Sequence, residues 1–349
     1  MPSIEVLGSG RIDERDSAFP QAVQLPNGDV LCSFSVGGGP AVTGGTDWAR
    51  STDGGESWKV EGTVLAPTTD PVTSASLKLS LSPDGRTLYA YGARSTKPAD
   101  GAERRDPVLC RSTDDGRTWS APLVVPKPAE VNVGISHGVL PLASGRLLAP
   151  VILHGEGRPG ERVVVALSDD DGETWPEHSP VFDDLKREYG YLEIKLAEID
   201  AHRVIAATWT TTLDGGTDFA DSFSISRDQG ATWAAPKSTG IMGQTMTPVP
   251  LGGNRLLAVY NRRYGVPAIV AALVTFTDNA WTVHQEIEIF SPTSGRPTLQ
   301  QGSGEDEWAQ FEFGFPTAIR LNDGNILATH WSKEAGKFGV RWTKLKVGF

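Results

Sequence analysis

Four copies of one eight-residue motif, Ser-x-Asp-x-Gly-x-Ser/Thr-Trp, recur along this chain at nearly even spacing. Their first serines, at positions 51, 112, 168 and 226, are 61, 56 and 58 residues apart. The motif has the composition of a tight turn, because Asp accepts backbone N–H bonds and Gly adopts conformations that are closed to other residues. A repeat of this length predicts one supersecondary unit that is used several times.

A second periodicity, of apolar runs on either side of a tight turn, agrees with the first. Such a pair of runs predicts a β-hairpin. Six hairpins are expected, at residues 19–34, 77–91, 139–153, 192–209, 246–260 and 315–331. Six units in 349 residues give about 58 residues each, which matches the spacing of the motif.

Each hairpin is followed by a third apolar run and, in most units, by the Trp-bearing turn and a fourth run. We therefore predict an all-β fold, a six-bladed β-propeller of four-stranded antiparallel blades, as a single domain over residues 1–349. The fifth turn keeps Asp278 and Trp281 but lacks the glycine. The sixth unit nearly ends after its third strand, so we expect the N-terminal run Ile4 to Leu7 to complete it and close the ring.

The charge of the chain excludes two classes of partner. The formal net charge is −11 and the pI is about 5.1, whereas nucleic acids and anionic membranes require a basic face. The sequence has no basic leader followed by an apolar run and no apolar run of transmembrane length. We therefore expect a cytoplasmic protein, or a secreted one whose leader was removed. The sequence leaves the oligomeric state open.

The two cysteines and the remaining motifs give no sign of a cofactor. Cys32 and Cys110 lie in apolar runs without a second Cys or a His at ligand spacing, so buried thiols are expected rather than a disulfide or a metal pair. No Gly-rich phosphate loop, His-Glu-x-x-His motif or Cys cluster occurs. No cofactor is expected, and no metal site is indicated.

The repeated box on a count of six units resembles the Asp-box family of β-propellers, whose best-known enzymes are the sialidases. The resemblance covers essentially the whole chain. It implies that the boxes lie on the face away from the active site, so their residues are expected to be structural. Fold alone does not carry function, and the catalytic residues therefore have to be compared one by one.

Three sialidase features are missing at the positions where the resemblance places them. Sialidase chemistry uses an arginine cluster for the substrate carboxylate and a Tyr nucleophile. Ala18 stands in place of the first arginine, and Trp209 or Thr210 in place of the second. Phe315 stands in place of the tyrosine and carries no hydroxyl. We therefore do not expect sialidase activity.

The acidic residues match the resemblance only in part. The loop that would supply the acid/base Asp, residues 37–45, has no carboxylate, and Asp47 is the nearest one. Glu193 matches the family's glutamate, because its spacing to Glu198 resembles a Glu-x-x-x-x-Glu strand. The chain thus resembles a sialidase in architecture and not in mechanism.

In a closed propeller the innermost strands line the central axis, and the site lies where those strands begin. Counting back eight residues from the hairpin turn places His137 and Glu193 at matching positions of neighbouring blades. Charged groups are rarely buried without a partner or a purpose, so we predict catalytic roles for both. A hydrogen-bonded core histidine and a glutamate paired with an arginine are the structural alternatives. Tyr191, two residues before Glu193, is expected on the same strand face, as a residue that packs or stacks on a sugar or, alternatively, as a catalytic phenol.

Further polar residues fall where the chain returns to the same rim. Together their side chains would bind a substrate with a carboxylate or several hydroxyls, although each alone is also explained as a solvated loop residue. The candidates for substrate binding are Arg94, His154, Arg262, Arg263, Gln244, Asp16 and Asp47.

Three functions remain compatible with the sequence, and a carbohydrate is the expected substrate or ligand. The first is an exo-acting glycoside hydrolase on a terminal or small sugar, with Glu193 and a second acid such as Asp16 or Asp47. The second is a lyase on a uronic-acid glycan, with His137 and Tyr191 as base and acid. The third is a non-catalytic propeller that binds glycan or protein.

Overall fold

The computed structural model describes residues 2–99, 101–156, 158–292 and 311–349 and has the predicted architecture. Six antiparallel sheets form the blades of a propeller. Each blade has four strands, and in blade 3 the innermost strand is split into two short pieces. The all-β prediction and the count of six are confirmed.

The first half of the chain forms blades 1 to 3, after an N-terminal strand β1 (Ser3–Asp13) that belongs to blade 6. Blade 1 contains β2 (Ser17–Gln24), β3 (Val30–Val36), β4 (Thr46–Ser51) and β5 (Lys59–Leu65), with a short 3-10 helix (Gly39–Ala41) after β3. Blade 2 contains β6 (Val72–Leu81), β7 (Leu88–Lys97), β8 (Arg104–Ser112) and β9 (Leu123–Val124). Blade 3 contains β10 (Asn132–Gly134), β11 (Leu140–Pro141), β12 (Leu147–Gly155), β13 (Arg158–Ser168) and β14 (Glu177–Asp183).

The second half forms blades 4 to 6. Blade 4 contains β15 (Tyr189–Glu198), β16 (Val204–Thr212), β17 (Ser222–Ser226) and β18 (Lys237–Ser238). Blade 5 contains β19 (Gln244–Gly252), β20 (Arg255–Arg262), β21 (Ala268–Phe276) and β22 (Trp281–Phe290). Blade 6 contains β23 (Phe313–Arg320), β24 (Ile326–Glu334) and β25 (Lys337–Gly348).

The two ends of the chain meet in blade 6. Strand β1 pairs antiparallel with β25, from Ser3 opposite Gly348 to Asp13 opposite Val340. This pairing gives blade 6 its fourth strand and covers the edge that β25 would otherwise expose. The predicted closure of the ring by the N-terminal strand agrees with this arrangement.

Six hydrophobic clusters form most of the core, one at each interface between neighbouring blades, and a seventh, smaller cluster lies between blades 6 and 1. For example, Leu31 of blade 1 packs with Leu77 of blade 2, and Phe34 of blade 1 packs with Leu327 of blade 6. Both faces of the inner strands are therefore buried, which explains their nearly continuous apolar runs. The free thiols of Cys32 and Cys110 are buried in two of these clusters, as expected. Within the described ranges, no helix is long and apolar enough to cross a membrane.

The repeated box closes the turn between the third and fourth strands of blades 1 to 4. In the second copy, Asp114 accepts hydrogen bonds from Ser112 Oγ (2.8 Å) and from the N–H and Oγ1 of Thr118 (2.9 and 2.6 Å). These bonds, with that from the Thr118 hydroxyl the largest, lower the pKa of Asp114 to about 2. Gly116 has φ 85°, a conformation that explains why the motif requires glycine.

Side chains of the innermost strands tie neighbouring blades together near the axis. Each donates a hydrogen bond to a backbone carbonyl of the next blade. These bonds run from Thr317 to Pro20, from Thr247 to Pro316, from Ser136 to Ile194 and from Lys78 to Ile135, at 2.7–3.1 Å. The axis of the propeller is therefore filled by polar as well as apolar side chains.

The seam between β1 and β25 gives a test of ring closure. A Cβ atom at Gly10 would lie 2.7 Å from Nε1 of Trp342, whereas one at Gly8 would lie 3.5 Å from the same ring, an ordinary contact. We expect Gly10→Ala to lower the free energy of unfolding by about 1–3 kcal/mol through overpacking. Gly8→Ala, the matched control, should leave it nearly unchanged in thermal or urea denaturation. Equal stability of the two variants would contradict this packing of the seam.

Candidate active site

The innermost strands of four blades carry the same irregularity at the level where the site is expected. Phe19, Glu193, Thr245 and Phe315 have φ values of 55°, 52°, 45° and 53°, and the register with the second strand shifts at each of them. A bulge of this kind re-aims a side chain, and positive φ in such residues marks local strain. Glu193 is the ionisable member of the four.

The structure corrects the alignment of His137 with Glu193 by one residue. The bonds that close the two hairpin turns run from Leu142 N to Arg146 O and from Ile199 N to Arg203 O. Counted from these turns, Ser136 is the equivalent of Glu193, and His137 follows it. His137 lies in the gap between β10 and β11, where the innermost strand of blade 3 is interrupted.

Glu193 lies among cationic groups and keeps a partly accessible side chain. Burial is the largest influence on its carboxyl and raises its pKa. Lys195, Arg263 and Lys78 act in the opposite direction, because their positive charges favour the carboxylate. A carboxyl in such surroundings holds its proton more strongly than usual and faces groups that stabilise it after the proton is lost.

Two buried lysines beside Glu193 are part of the site and were missed in the sequence. Lys195 is 0% exposed, donates to the Ser136 carbonyl oxygen and lies with Nζ 3.4 Å from the ring centre of Phe315. Lys78 is 2% exposed and donates to the carbonyl oxygens of Ser76 (3.0 Å) and Ile135 (2.9 Å). Burial lowers the pKa of Lys78 to about 7 and that of Lys195 well below its ordinary value. Each lysine stands between apolar residues on an innermost strand, a signal that could have identified both.

A hydrogen-bond network joins blades 4 and 5 next to Glu193. Asp218 accepts bonds from Trp209 Nε1 (2.7 Å), Gln244 Nε2 (2.7 Å) and the Tyr264 hydroxyl (2.5 Å). Arg263 donates to the Gln244 side-chain oxygen. The amide of Gln244 thus links a carboxylate to a guanidinium. Of this network, Arg263 and Gln244 were predicted from the sequence, and Asp218 and Tyr264 were not.

The arginine at the centre of this network is itself held by aromatic residues. Arg263 Nη2 donates to the Phe313 carbonyl oxygen (2.5 Å), and its guanidinium carbon lies 3.6 Å from the ring centre of Phe311. Stacking and hydrogen bonding fix the orientation of a guanidinium, which suits it to recognise an oxygen-rich ligand.

His137 and Tyr191 occupy different surroundings. His137 Nδ1 donates to the Gly138 carbonyl oxygen (2.9 Å), and burial, with smaller contributions from Lys195 and Lys78, lowers its pKa to about 3. Tyr191 packs against Phe182 in the core between blades 3 and 4, with ring centres 5.1 Å apart. It does not share the environment of Glu193, because the bulge at Glu193 interrupts the strand alternation on which that expectation depended.

Three of the predicted rim residues are held away from the network. Arg262 pairs with Glu286 and Glu288 of the outer strand β22, while its neighbour Arg263 points inward. Asp16 accepts a bond from the Phe338 N–H (3.2 Å), and Asp47 pairs with Arg15 (3.1 Å). These residues connect loops and strands around blade 1 or within blade 5.

The other two predicted rim residues lie on blades 2 and 3. His154 Nδ1 accepts a bond from the Gly160 N–H (3.0 Å), and burial lowers its pKa to about 4. The Arg94 Nε atom is buried and has no hydrogen-bond partner in the described part of the chain. The structure thus brings together Glu193, Arg263 and Gln244 and distributes the remaining candidates over the rim.

Ala18 and Phe315, two of the residues that the resemblance singled out, lie in apolar surroundings. Ala18, Phe315 and Trp331 form a buried cluster, and Phe19 and Phe338 pack against it. No group of three or more His, Cys, Asp or Glu suited to a metal ion occurs among the residues outside the gaps at 1, 100, 157 and 293–310.

The imidazole of His137 gives a direct test of this electrostatic environment. Because the pKa is lowered to about 3, we expect its ring resonances to stay constant in NMR spectra from about pH 5 to pH 8. Assignment through a His137→Gln variant identifies the signal. A titration with a midpoint near 6.5 would show that the ring is solvated and that the surrounding packing is looser than described.

Comparison with solved structures places the fold among known propellers. A protein of unknown function from Dyadobacter fermentans is 21% identical, with a TM-score of 0.76 and full coverage of both chains. An α-L-arabinanase from Penicillium chrysogenum, solved with arabinobiose, is 16% identical, with a TM-score of 0.65 over 97% of this chain and 98% of its own. Trypanosoma rangeli sialidase is 14% identical, with a TM-score of 0.66 over 97% of this chain and 60% of its own. At these identities the likeness concerns the fold.

A search of curated proteins gave no match. The family described as the BNR repeat-like domain matches residues 97–327, about two thirds of the chain. That segment contains three of the four boxes and the innermost strands of blades 3 to 6. The chain belongs to the BNR repeat-like domain family.

Proposed function

We propose that this protein is a glycoside hydrolase that removes a terminal or small sugar, with Glu193 as its catalytic acid. The observation that carries the proposal is the position of Glu193 on an axial bulge, partly accessible and with its pKa raised by burial. A glycosidase needs one carboxyl that is still protonated near neutral pH, to donate to the leaving oxygen.

Asp218 is a better candidate than Asp16 or Asp47 for the second catalytic carboxylate of the proposed hydrolase. Both Asp16 and Asp47 serve loop contacts at blade 1, whereas Asp218 and Glu193 both act electrostatically on Asp221 and therefore lie in one region. Glu193 would protonate the glycosidic oxygen as its bond to the anomeric carbon breaks. Asp218 would take the proton of the water that forms the new bond to that carbon.

The fold supports the same class of reaction. An arabinanase and a sialidase, both of them glycoside hydrolases, share this architecture at low identity. Arg263, Gln244 and Tyr264 form, with Asp218, a polar network beside Glu193. A panel of 4-nitrophenyl glycosides, including the α-L-arabinofuranoside, together with arabinobiose, is the first substrate set to measure.

Replacing the proposed acid is the decisive experiment. We expect Glu193→Gln to lower kcat by at least about 10²-fold, since the amide cannot donate the proton, while Tm stays near the wild-type value. Glu198→Gln is the matched control, because Glu198 lies on the same strand and accepts the Ala143 N–H, and it should keep wild-type rates. Full activity of Glu193→Gln would remove Glu193 from the mechanism.

Sialidase activity should be essentially absent. The positions that the resemblance assigns to an arginine and to the nucleophile carry Ala18 and Phe315, both within an apolar cluster. We expect no release of aryl alcohol from an aryl sialoside under conditions in which a commercial sialidase hydrolyses it fully. Robust cleavage would show that other residues replace the missing groups.

The lyase alternative has one supporting observation. Lys195 and Lys78 lie beside His137, and their positive charges would attract a substrate carboxylate, whereas a pKa of about 3 makes the imidazole itself a weak base. Against it, the Tyr191 ring is packed in the core between two blades. A new near-ultraviolet absorbance on uronic-acid glycans would favour the lyase, whereas binding without turnover would favour a non-catalytic propeller.

A further inference from the structure

Asp221, at the entrance to β17, is a carboxyl for which the described structure provides no hydrogen-bond partner. The residue is 0% exposed, and neither side-chain oxygen accepts or donates a hydrogen bond in the described ranges. Its backbone is well fixed, because its N–H donates to Ile241 O (2.9 Å) and its carbonyl accepts from Thr239 N (2.8 Å). A buried carboxylate without donors is very costly, so the neutral acid is the favoured form.

The side chain of Asp221 occupies the space beside a glycine. A Cβ atom at Gly243 would lie 2.7 Å from Oδ2 of Asp221 and 3.2 Å from the Tyr260 ring. Gly243 directly precedes Gln244, whose amide links Asp218 to Arg263. The carboxyl of Asp221 therefore packs directly against the segment that carries this link.

The charges around Asp221 oppose its ionisation. Asp218 from the loop before β17 and Glu193 from β15 are the charged groups that act on it, and both are acidic. Burial first, and then these two carboxylates, raise the pKa of Asp221 well above its ordinary value. From β20 the facing titratable group is Tyr260, whose hydroxyl donates to Glu286 (3.0 Å).

We infer that Asp221 is a positioning residue, held as a neutral carboxylic acid, that fixes Gly243 and Gln244 so that Gln244 can link Asp218 to Arg263. The inference extends the proposed function, because Asp218 and Arg263 belong to the proposed site. Asp221 itself is sealed from solvent and does not touch substrate. Its proton keeps a further negative charge away from the carboxyl groups of Glu193 and Asp218.

The protonation state can be measured without a substrate. An Asp whose pKa is raised in the folded state costs stability above the unfolded pKa, near 3.9, and the cost grows as pH rises toward the folded pKa. Asp221→Asn cannot ionise, so its Tm relative to wild type should increase steadily from pH 4 to pH 8. If the Tm of Asp221→Asn minus that of wild type stays constant or becomes more negative as the pH rises, the inference is overturned.

Asp214→Asn is a control, because the pH dependence of its Tm relative to wild type should have the opposite sign. The Asp214 carboxylate is exposed and accepts bonds from Thr212 Oγ1 (2.6 Å) and Gly216 N (3.0 Å), which lower its pKa. Its contribution to stability is present above the unfolded pKa and is lost as pH falls. The Tm deficit of Asp214→Asn should therefore stay nearly constant from pH 8 to about pH 5 and shrink only as the pH falls below about 4.

The positioning role is tested by activity and rescue. Asp221→Asn keeps shape and neutrality, so kcat and its pH profile should stay near wild type. Asp221→Ala and Gly243→Ala should each lower kcat on the order of 10- to 100-fold by displacing Gln244. When Asp221→Ala and Gly243→Ala are combined, the new methyl group at residue 243 fills the space that the Asp221 carboxyl leaves, and kcat should partly return. A double variant no better than either single one would overturn the positioning role.

The Tm series and the hydrolysis assays together separate this inference from the proposed function. If wild-type protein hydrolyses no glycoside, the proposed function fails while the Tm series still decides whether Asp221 is neutral. If hydrolysis depends on Glu193 but the Tm series has the wrong sign, the inference about Asp221 fails alone.

Discussion

Six strands converge on one axis in this protein, and most features of the candidate site follow from that crowding. The innermost strands have no free face, so several of their polar side chains hydrogen-bond to a neighbouring blade. Thr247, Thr317 and Ser136 do so through carbonyl oxygens of the adjacent strand. Lys78 and Lys195 reach the interrupted strand of blade 3 in the same way. Bulges at the same level relieve the crowding and turn Glu193 toward the cations.

The site combines more charged groups than a buried region ordinarily holds. Lys195, Arg263 and Lys78 act on the Glu193 carboxyl, whereas the charged groups that act on Asp221, namely Asp218 and Glu193, are both acidic. Burial raises the pKa of both Glu193 and Asp221, but cations favour the ionised form of Glu193, whereas no hydrogen-bond donor in the described structure stabilises that of Asp221. Glu193 is thereby suited to exchange a proton, and Asp221 to retain one. Surroundings that give neighbouring carboxyl groups different proton affinities in this way are typical of catalytic sites.

The sequence predicted the architecture well because the fold depends on local, repeated signals. The boxes, the hairpin turns and the unpaired third strand of the last unit were each visible as patterns, and they agreed on six blades. The closure by β1 followed from counting strands. Such signals are periodic and local, so they can be identified in the sequence alone.

The site was predicted only in part, because its members are joined by contacts between blades. Glu193 was singled out by its position relative to a hairpin turn, and Arg263 and Gln244 were singled out as residues of the rim. Tyr191 was assigned by strand alternation, which the bulge at Glu193 interrupts. Asp218 and Asp221 lie in and after a loop with several aspartates, where composition alone does not distinguish a capping residue from a buried acid. That distinction depends on which blade packs against the loop.

The division of the core into six interfaces has a consequence for how the protein unfolds. In an open repeat array the end unit has one neighbour and can fray at the loss of a single interface. Here β1 and β25 join the last blade to the first, so every blade packs against two others. Opening any blade must therefore break two hydrophobic clusters together. A closed ring of this kind has no weak end, and its blades are expected to melt as one cooperative unit and not one after another.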